Sequence, residues 1–166
     1  MTETIPAADP SELGGKYLTF FLDQEEYGLE ILKVREIIGL MEITPVPRTP
    51  DFICGVINLR GKVIPVVDLR LKFAMLEVDQ TNETCIIVVQ AQDLEMGIVV
   101  DRVSEVIDIP TSDIQPPPAF GSKAVSIDYI LGIGKTGERI KLLLNIDKVL
   151  SRKEMANIIP MQEVAA

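Results

Sequence analysis

"EEYGLEILKVREII", Glu25 to Ile38, returns in outline as "LEMGIVVDRVSEVI", Leu94 to Ile107. At a shift of 69 residues Glu26 meets Glu95, Gly28 meets Gly97, Val34 meets Val103, Glu36 meets Glu105 and Ile38 meets Ile107. A shift of 77 lays DFICGV (Asp51–Val56) over DYILGI (Asp128–Ile133), pairing Asp51 with Asp128, Ile53 with Ile130 and Gly55 with Gly132. In that register Asp68 meets Asn145 and Leu69 meets Ile146. The two shifts differ by roughly the length of a Pro-rich insert, QPPPAFGS (Gln115–Ser122). Glycines, acids and apolar positions stay in order over about 50 residues, the mark of an internal duplication. The chain is read as two related β units of about five strands each. One unit alone buries too little surface to be secure, so the two are expected to pack together and leave a groove between them.

Local patterns extend this reading. Tyr17–Leu22 and Glu26–Ile31 flank an acidic turn, Asp23-Gln24-Glu25, as a hairpin would. Leu32–Ile38 fits a helical or a strand period, and a strand continuing with a bend is favoured. Pro45, Pro47 and Pro50 interrupt regular structure, and Asp51–Ile57 has room for a helical turn. VINLRGKVIPVVDLR (Val56–Arg70) reads as two strands turning at Arg60-Gly61, with Gly61 supplying positive φ. Val63, Val67 and Leu69 share one face and Ile64 and Val66 the other, so this strand is expected to be covered on both sides. Pro65 has no N–H for a ladder and belongs at an edge or bulge. After an acidic connector, Leu76–Glu83, further strands are expected in Cys85–Val89, Met96–Ile109, Tyr129–Ile133 and Ile140–Ile146. Ser151 and Glu154 have capping-box spacing, which predicts a short helix over about 152–158, stopped by Pro160.

Composition narrows the function. The 166 residues carry 25 acids against 16 bases, a net charge of −9. Nucleic acid and anionic membrane surfaces both call for clustered Lys and Arg, which the sequence lacks in any run. An oligonucleotide-binding barrel, the rival reading, also wants stacking aromatics, and aromatics are only 5%. His is absent, removing the usual general base and the commonest metal ligand. Cys54 and Cys85 lie in apolar runs and read as small buried hydrophobes. Glu25-Glu26 reads as a solvated turn, and Gly132-Ile133-Gly134 with Gly137 lacks the Lys-Ser/Thr of a phosphate loop. No catalysis, cofactor or metal is therefore expected. The N-terminus has no basic start or apolar core of a leader, and no run approaches a spanning helix, so a cytoplasmic protein is expected.

Two features remain that suit protein contact. Glu36 interrupts an apolar series and is either a solvated charge or part of a binding rim. Phe120, between prolines and Gly121, is either an interface anchor or folded back on its own unit.

At this point the chain resembles the CheW-like adaptors of bacterial chemotaxis. The carrying segments are EEYGLEILKVREI, TPDFICGVINLRGKVIPVVDLRLKF, MGIVVDRVSEV and NIDKVLSRKEM, from about Lys16 to Met155. The resemblance implies an all-β fold of two packed five-stranded β-barrels, SH3/OB-like and internally duplicated, with the short C-terminal helix. The expected layout is a disordered tail (1–15), a single CheW-like domain (16–155) and a second tail (159–166). Within the domain the repeats are about 16–72 and 84–148, with strands exchanged between barrels where the family does so. It implies a non-enzymatic adaptor that couples the cytoplasmic tips of methyl-accepting chemoreceptors to the regulatory domain of the histidine kinase CheA. Such an adaptor is recruited to membrane arrays without binding the membrane directly. Carried over by position, Val34, Glu36 and Ile37 in the first half and Val103 and Val106 in the second are implied as receptor-binding. Phe120 and Val46 are implied as kinase or array contacts. Arg60 matches the NLRG signature but has no counterpart in the second repeat, and it is expected to support the groove by pairing with a carboxylate, Glu36 first. Asp68, which shares its register with Asn145, is read as structural: a short side chain bonding nearby backbone at a strand end.

Overall fold

The computed structural model describes residues 14–73, 75, 80–91, 94–116 and 129–149. Their strands are β1 (Gly15–Leu22), β2 (Glu25–Glu30), β3 (Val34–Gly39), β4 (Ile53–Leu59) and β5 (Lys62–Asp68), followed by the one-turn helix α1 (Leu69–Lys72). Then come β6 (Cys85–Ala91), β7 (Leu94–Val100), β8 (Arg102–Ile109), β9 (Ile114–Gln115), β10 (Ile130–Thr136) and β11 (Arg139–Leu144), with a second helical turn α2 (Ile146–Val149). Sheet I runs β8-β1-β2-β11-β10-β9 and sheet II runs β3-β6-β7-β5-β4. Each sheet thus mixes the two halves of the sequence: β3 leaves its own half to pair with β6, and β8 returns to pair with β1.

The duplication holds at the level of individual residue pairs. Val34 lies opposite Val89 and Ile37 opposite Ile87, while Val103 lies opposite Phe20 and Val106 opposite Leu18. Both ladders carry a bulge between those pairs. The parallel contacts repeat as well, Val66 with Gly97 in sheet II and Leu143 with Gly28 in sheet I. Here the recurring glycine of the sequence repeat has its reason. A Cβ on Gly28 would stand 2.9 Å from Leu143 Cδ2, and one on Gly97 2.7 Å from Ile86 Cγ2.

The largest core cluster lies between the sheets and takes Leu18, Phe20, Leu22 and Leu29 from sheet I with Val67, Ile87, Val89, Met96 and Ile98 from sheet II. Burying each such side chain contributes about 1.5–3 kcal/mol before the ordering cost is counted. The other face of sheet II covers a second cluster, Ile57, Ile64, Val66, Ile86, Val88 and Val99. The outer face of sheet I covers a third, with Tyr17, Ile109, Ile114 and Leu143. β5 is therefore apolar on both faces because Ile64 and Val66 feed one cluster and Val67 another. Pro65 sits just before the β5–β7 ladder begins at Val66 and pairs only with Val56 of β4.

Four expectations change. The barrels are curled open sheets. Neither has a continuous closing ladder among the described residues, and the chain after each outer strand instead returns to the far edge. Thr44, beyond β3, bridges Val56 of β4, and β9, beyond β8, pairs with β10. The helical turn expected over Asp51–Ile57 is strand from Ile53, because the branched side chains alternate into the clusters and Gly55, at φ 143°, admits the Thr44 carbonyl against its backbone. Leu69 and Ile146 open helical turns and do not end strands. Met96–Ile109 is cut at Asp101, where the chain crosses between sheets. The helix over 152–158 falls outside the described residues.

Asp68 and Asn145 cause the change at Leu69 and Ile146. Asp68 Oδ1 accepts from the Arg70 N–H at 2.9 Å and Asn145 Oδ1 from the Asp147 N–H at 3.1 Å, each satisfying an orphan donor of a helical first turn. Their own N–H groups donate to Phe52 O and Tyr129 O, both at 2.8 Å.

Candidate partner-binding rim

β3 and β8 are related by the repeat, and each borders its sheet on the side away from the hairpins β4–β5 and β10–β11. A regular strand alternates faces, so residues three apart would point in opposite directions. The bulges change that. Because Val34 and Ile37 lie opposite Val89 and Ile87, both of the inter-sheet core, the two share the inter-sheet face. Val103 and Val106, opposite Phe20 and Leu18, do the same on the other sheet. In each pair the inner residue, Val34 or Val103, packs on the shared core. The outer residue stays open: Ile37 is 45% and Val106 51% exposed. The β8 bulge is held from within, since the fully buried Thr19 hydroxyl donates to Glu105 O at 2.9 Å and accepts from Glu105 N at 3.2 Å. Near the same border Cys85, half-buried beside Gly39 of β3, has its thiol pushed up by burial while a backbone hydrogen bond from Val103 opposes the shift. That bond joins the β8 edge to the strand next to β3.

Glu36 does not share this face. It lies opposite Val88 and so points to the inner side of curled sheet II. Arg60 Nη2 reaches its Oε2 at 2.6 Å. The two come from opposite edges of one sheet, β3 and the β4–β5 turn, so the ion pair spans the opening that the ladder leaves. Arg60 adopts φ 55° beside Gly61 at φ 87°, and the turn is steadied by Gly61 N–H donating to Asn58 Oδ1 at 2.8 Å. The repeat-related position is Gly137, at φ 62°. An arginine stands where glycine is the unstrained choice, at a cost of about 1 kcal/mol. Its partner is the carboxylate that the sequence reading placed first.

Arg60→Gly separates strain from function. Relief of the left-handed conformation offsets the loss of an exposed ion pair and the added chain entropy, each about 1 kcal/mol or less. The thermal midpoint is expected to stay within about 3 °C, while affinity for a partner that touches Glu36 falls.

Of the other expected site residues, Val46 is half-buried in the Pro-rich stretch, and its carbonyl accepts from the Thr49 hydroxyl at 2.8 Å. Phe120 falls outside the described residues. Leu32, which drew no functional reading from its sequence, stands 91% exposed on the 3-10 turn Ile31–Lys33 that leads into β3. Among the described residues no cluster of three or more Cys, Asp or Glu could hold a metal, and no helix is long and apolar enough to cross a membrane.

The family model of the CheW-like domain matches residues 16–154. The chain belongs to the CheW-like family. A chemotaxis protein CheW of Klebsiella aerogenes is 44% identical over 144 residues, spanning 87% of this chain and 86% of that protein. A chemotaxis protein CheW of Helicobacter pylori is 36% identical, over 82% of each chain. Among solved structures, the scaffolding protein TtCheW from Thermoanaerobacter tengcongensis superposes with a TM-score of 0.78 at 34% identity, covering 86% of this chain and 96% of that one. The family role is that of a chemotaxis coupling scaffold, and a curled, duplicated β architecture with an apolar rim suits it.

Proposed function

We propose that this chain couples the cytoplasmic tips of methyl-accepting chemoreceptors to the regulatory domain of the histidine kinase CheA, performing no chemistry of its own. The observation that carries the proposal is the paired apolar rim: Val34 and Ile37 on one sheet edge, Val103 and Val106 on the other, all turned to the inter-sheet face by matching bulges. An apolar helical surface is the partner that such a rim fits, with area from the aliphatic side chains and, round the β3 edge, a polar contact from Glu36 on the other face of that strand. Val46 and Phe120 belong, on this reading, to the kinase or array side. Recruitment to the membrane then comes through the receptors, as befits a chain of net charge −9. The direct test is a titration of a receptor-tip fragment into the protein with backbone amide shifts recorded. Shifts gathered on β3 and β8 support the proposal, and shifts confined to other strands reject it.

A further inference from the structure

β7 ends at Val100 in sheet II and β8 starts at Arg102 in sheet I, so Asp101 is the single residue that carries the chain between sheets. Its carboxylate is fully engaged. Oδ1 accepts from Arg70 Nε at 2.8 Å, and Oδ2 accepts from Arg70 Nη2 at 2.5 Å and from the Asp23 N–H at 2.7 Å. Its own N–H donates to Phe21 O at 3.1 Å. Arg70 belongs to α1, directly after β5 of sheet II, whereas Phe21 and Asp23 lie at the β1–β2 turn of sheet I. One carboxylate therefore ties the end of β5, the crossover and the first hairpin together. The Arg70 side chain is only 10% accessible, and its planar fork fixes direction as well as distance.

The related crossover, from β2 to β3, is built differently. The position that repeats Asp101 is Leu32, pointing into solvent, and the turn is held by Lys33 Nζ to Asp147 Oδ2 at 2.8 Å, both side chains about a third accessible. The approach of β8 to the rim is thus pinned by a bidentate pair with a buried arginine, and that of β3 by a contact from a more exposed lysine.

We propose that Arg70 and Asp101 are positioning residues for partner binding: they set where the β8 edge, with Val103 and Val106, stands relative to the β3 edge. This rests on the rim being the receptor contact. Two near-isosteric variants test it. Asp101→Asn keeps an acceptor for the Asp23 amide but loses the charge, and Arg70→Lys keeps the charge but loses the fork. Both are expected to raise amide hydrogen exchange in β8 about ten-fold while the β4–β5 hairpin exchanges as before. Both are also expected to weaken binding of a receptor-tip fragment about ten-fold, although neither residue touches the partner. Exchange that rises equally in both sheets, or unchanged β8 exchange, overturns the proposal. The variant Ile37→Asp/Val106→Asp keeps the two claims apart. If it binds the fragment like the unaltered protein, the receptor reading of the rim fails. If it fails to bind while Asp101→Asn and Arg70→Lys bind normally, the positioning proposal alone fails.

Discussion

Ile37→Asp combined with Val106→Asp is expected to weaken binding of a receptor-tip fragment by about 100-fold, because each substitution sets an unpaired carboxylate against an apolar partner surface at the centre of the rim. The fold should not register the change. Both side chains are about half exposed, and surface substitutions of this kind shift stability by about 0.5 kcal/mol or less. Calorimetric titration and a thermal melt on the same sample check both halves of the statement. Val34→Asp is a harsher variant but a poorer probe, since Val34 packs on the inter-sheet core and its replacement disturbs folding as well as binding. If the exposed pair is changed and the affinity stays the same, neither edge is the receptor surface.

The second large effect concerns stability. Lys141 and Glu26 are neighbours on the parallel strands β11 and β2, with Nζ 3.2 Å from Oε1 and both side chains 5% accessible. Lys141 Nζ also donates to the Thr136 hydroxyl at 2.9 Å. Lys141→Met leaves the Glu26 carboxylate buried without its cation and is expected to cost about 3–5 kcal/mol. For a chain of this length that lowers the thermal midpoint by about 10 °C. Adding Glu26→Leu removes the stranded charge and is expected to recover most of the loss, because a buried ion pair and a well-packed apolar pair are close in net stability. A double variant as unstable as the single one would mean that the pair itself, and not the orphaned charge, sustains the β2–β11 junction.

Much of this was legible in the sequence because it is local or repeated. The Arg60-Gly61 turn follows from glycine chemistry. The equivalence of Asp68 and Asn145 was visible in the self-alignment, and the structure shows both capping a helical turn. The duplication could be read because shared glycines, Gly28 with Gly97, answer to shared close contacts. What escaped was non-local. Strand exchange entered only through the family resemblance, because it is set by which edges meet in three dimensions and neighbouring strands in sequence often pair. A bulge leaves no composition signal, so Val34 and Ile37, three apart, also fitted a helical face, although a bent strand was favoured. Thr19, an ordinary strand residue in its sequence context, gave no hint that its hydroxyl would hold the β8 bulge. Arg70 drew no reading of its own, because its partner Asp101 lies 31 residues on and the pair forms only when the sheets pack. The helical turn assigned to Asp51–Ile57 gave way to β4, where pairing with β5 outweighed a local pattern.

The adaptor account meets its most direct test in a sedimentation assay with receptor-bearing vesicles, CheA and this protein. The account predicts that the kinase pellets with the vesicles when the protein is present, stays in solution when it is left out, and stays in solution when Ile37→Asp/Val106→Asp takes its place. Kinase pelleting equally well in all three mixtures would contradict it.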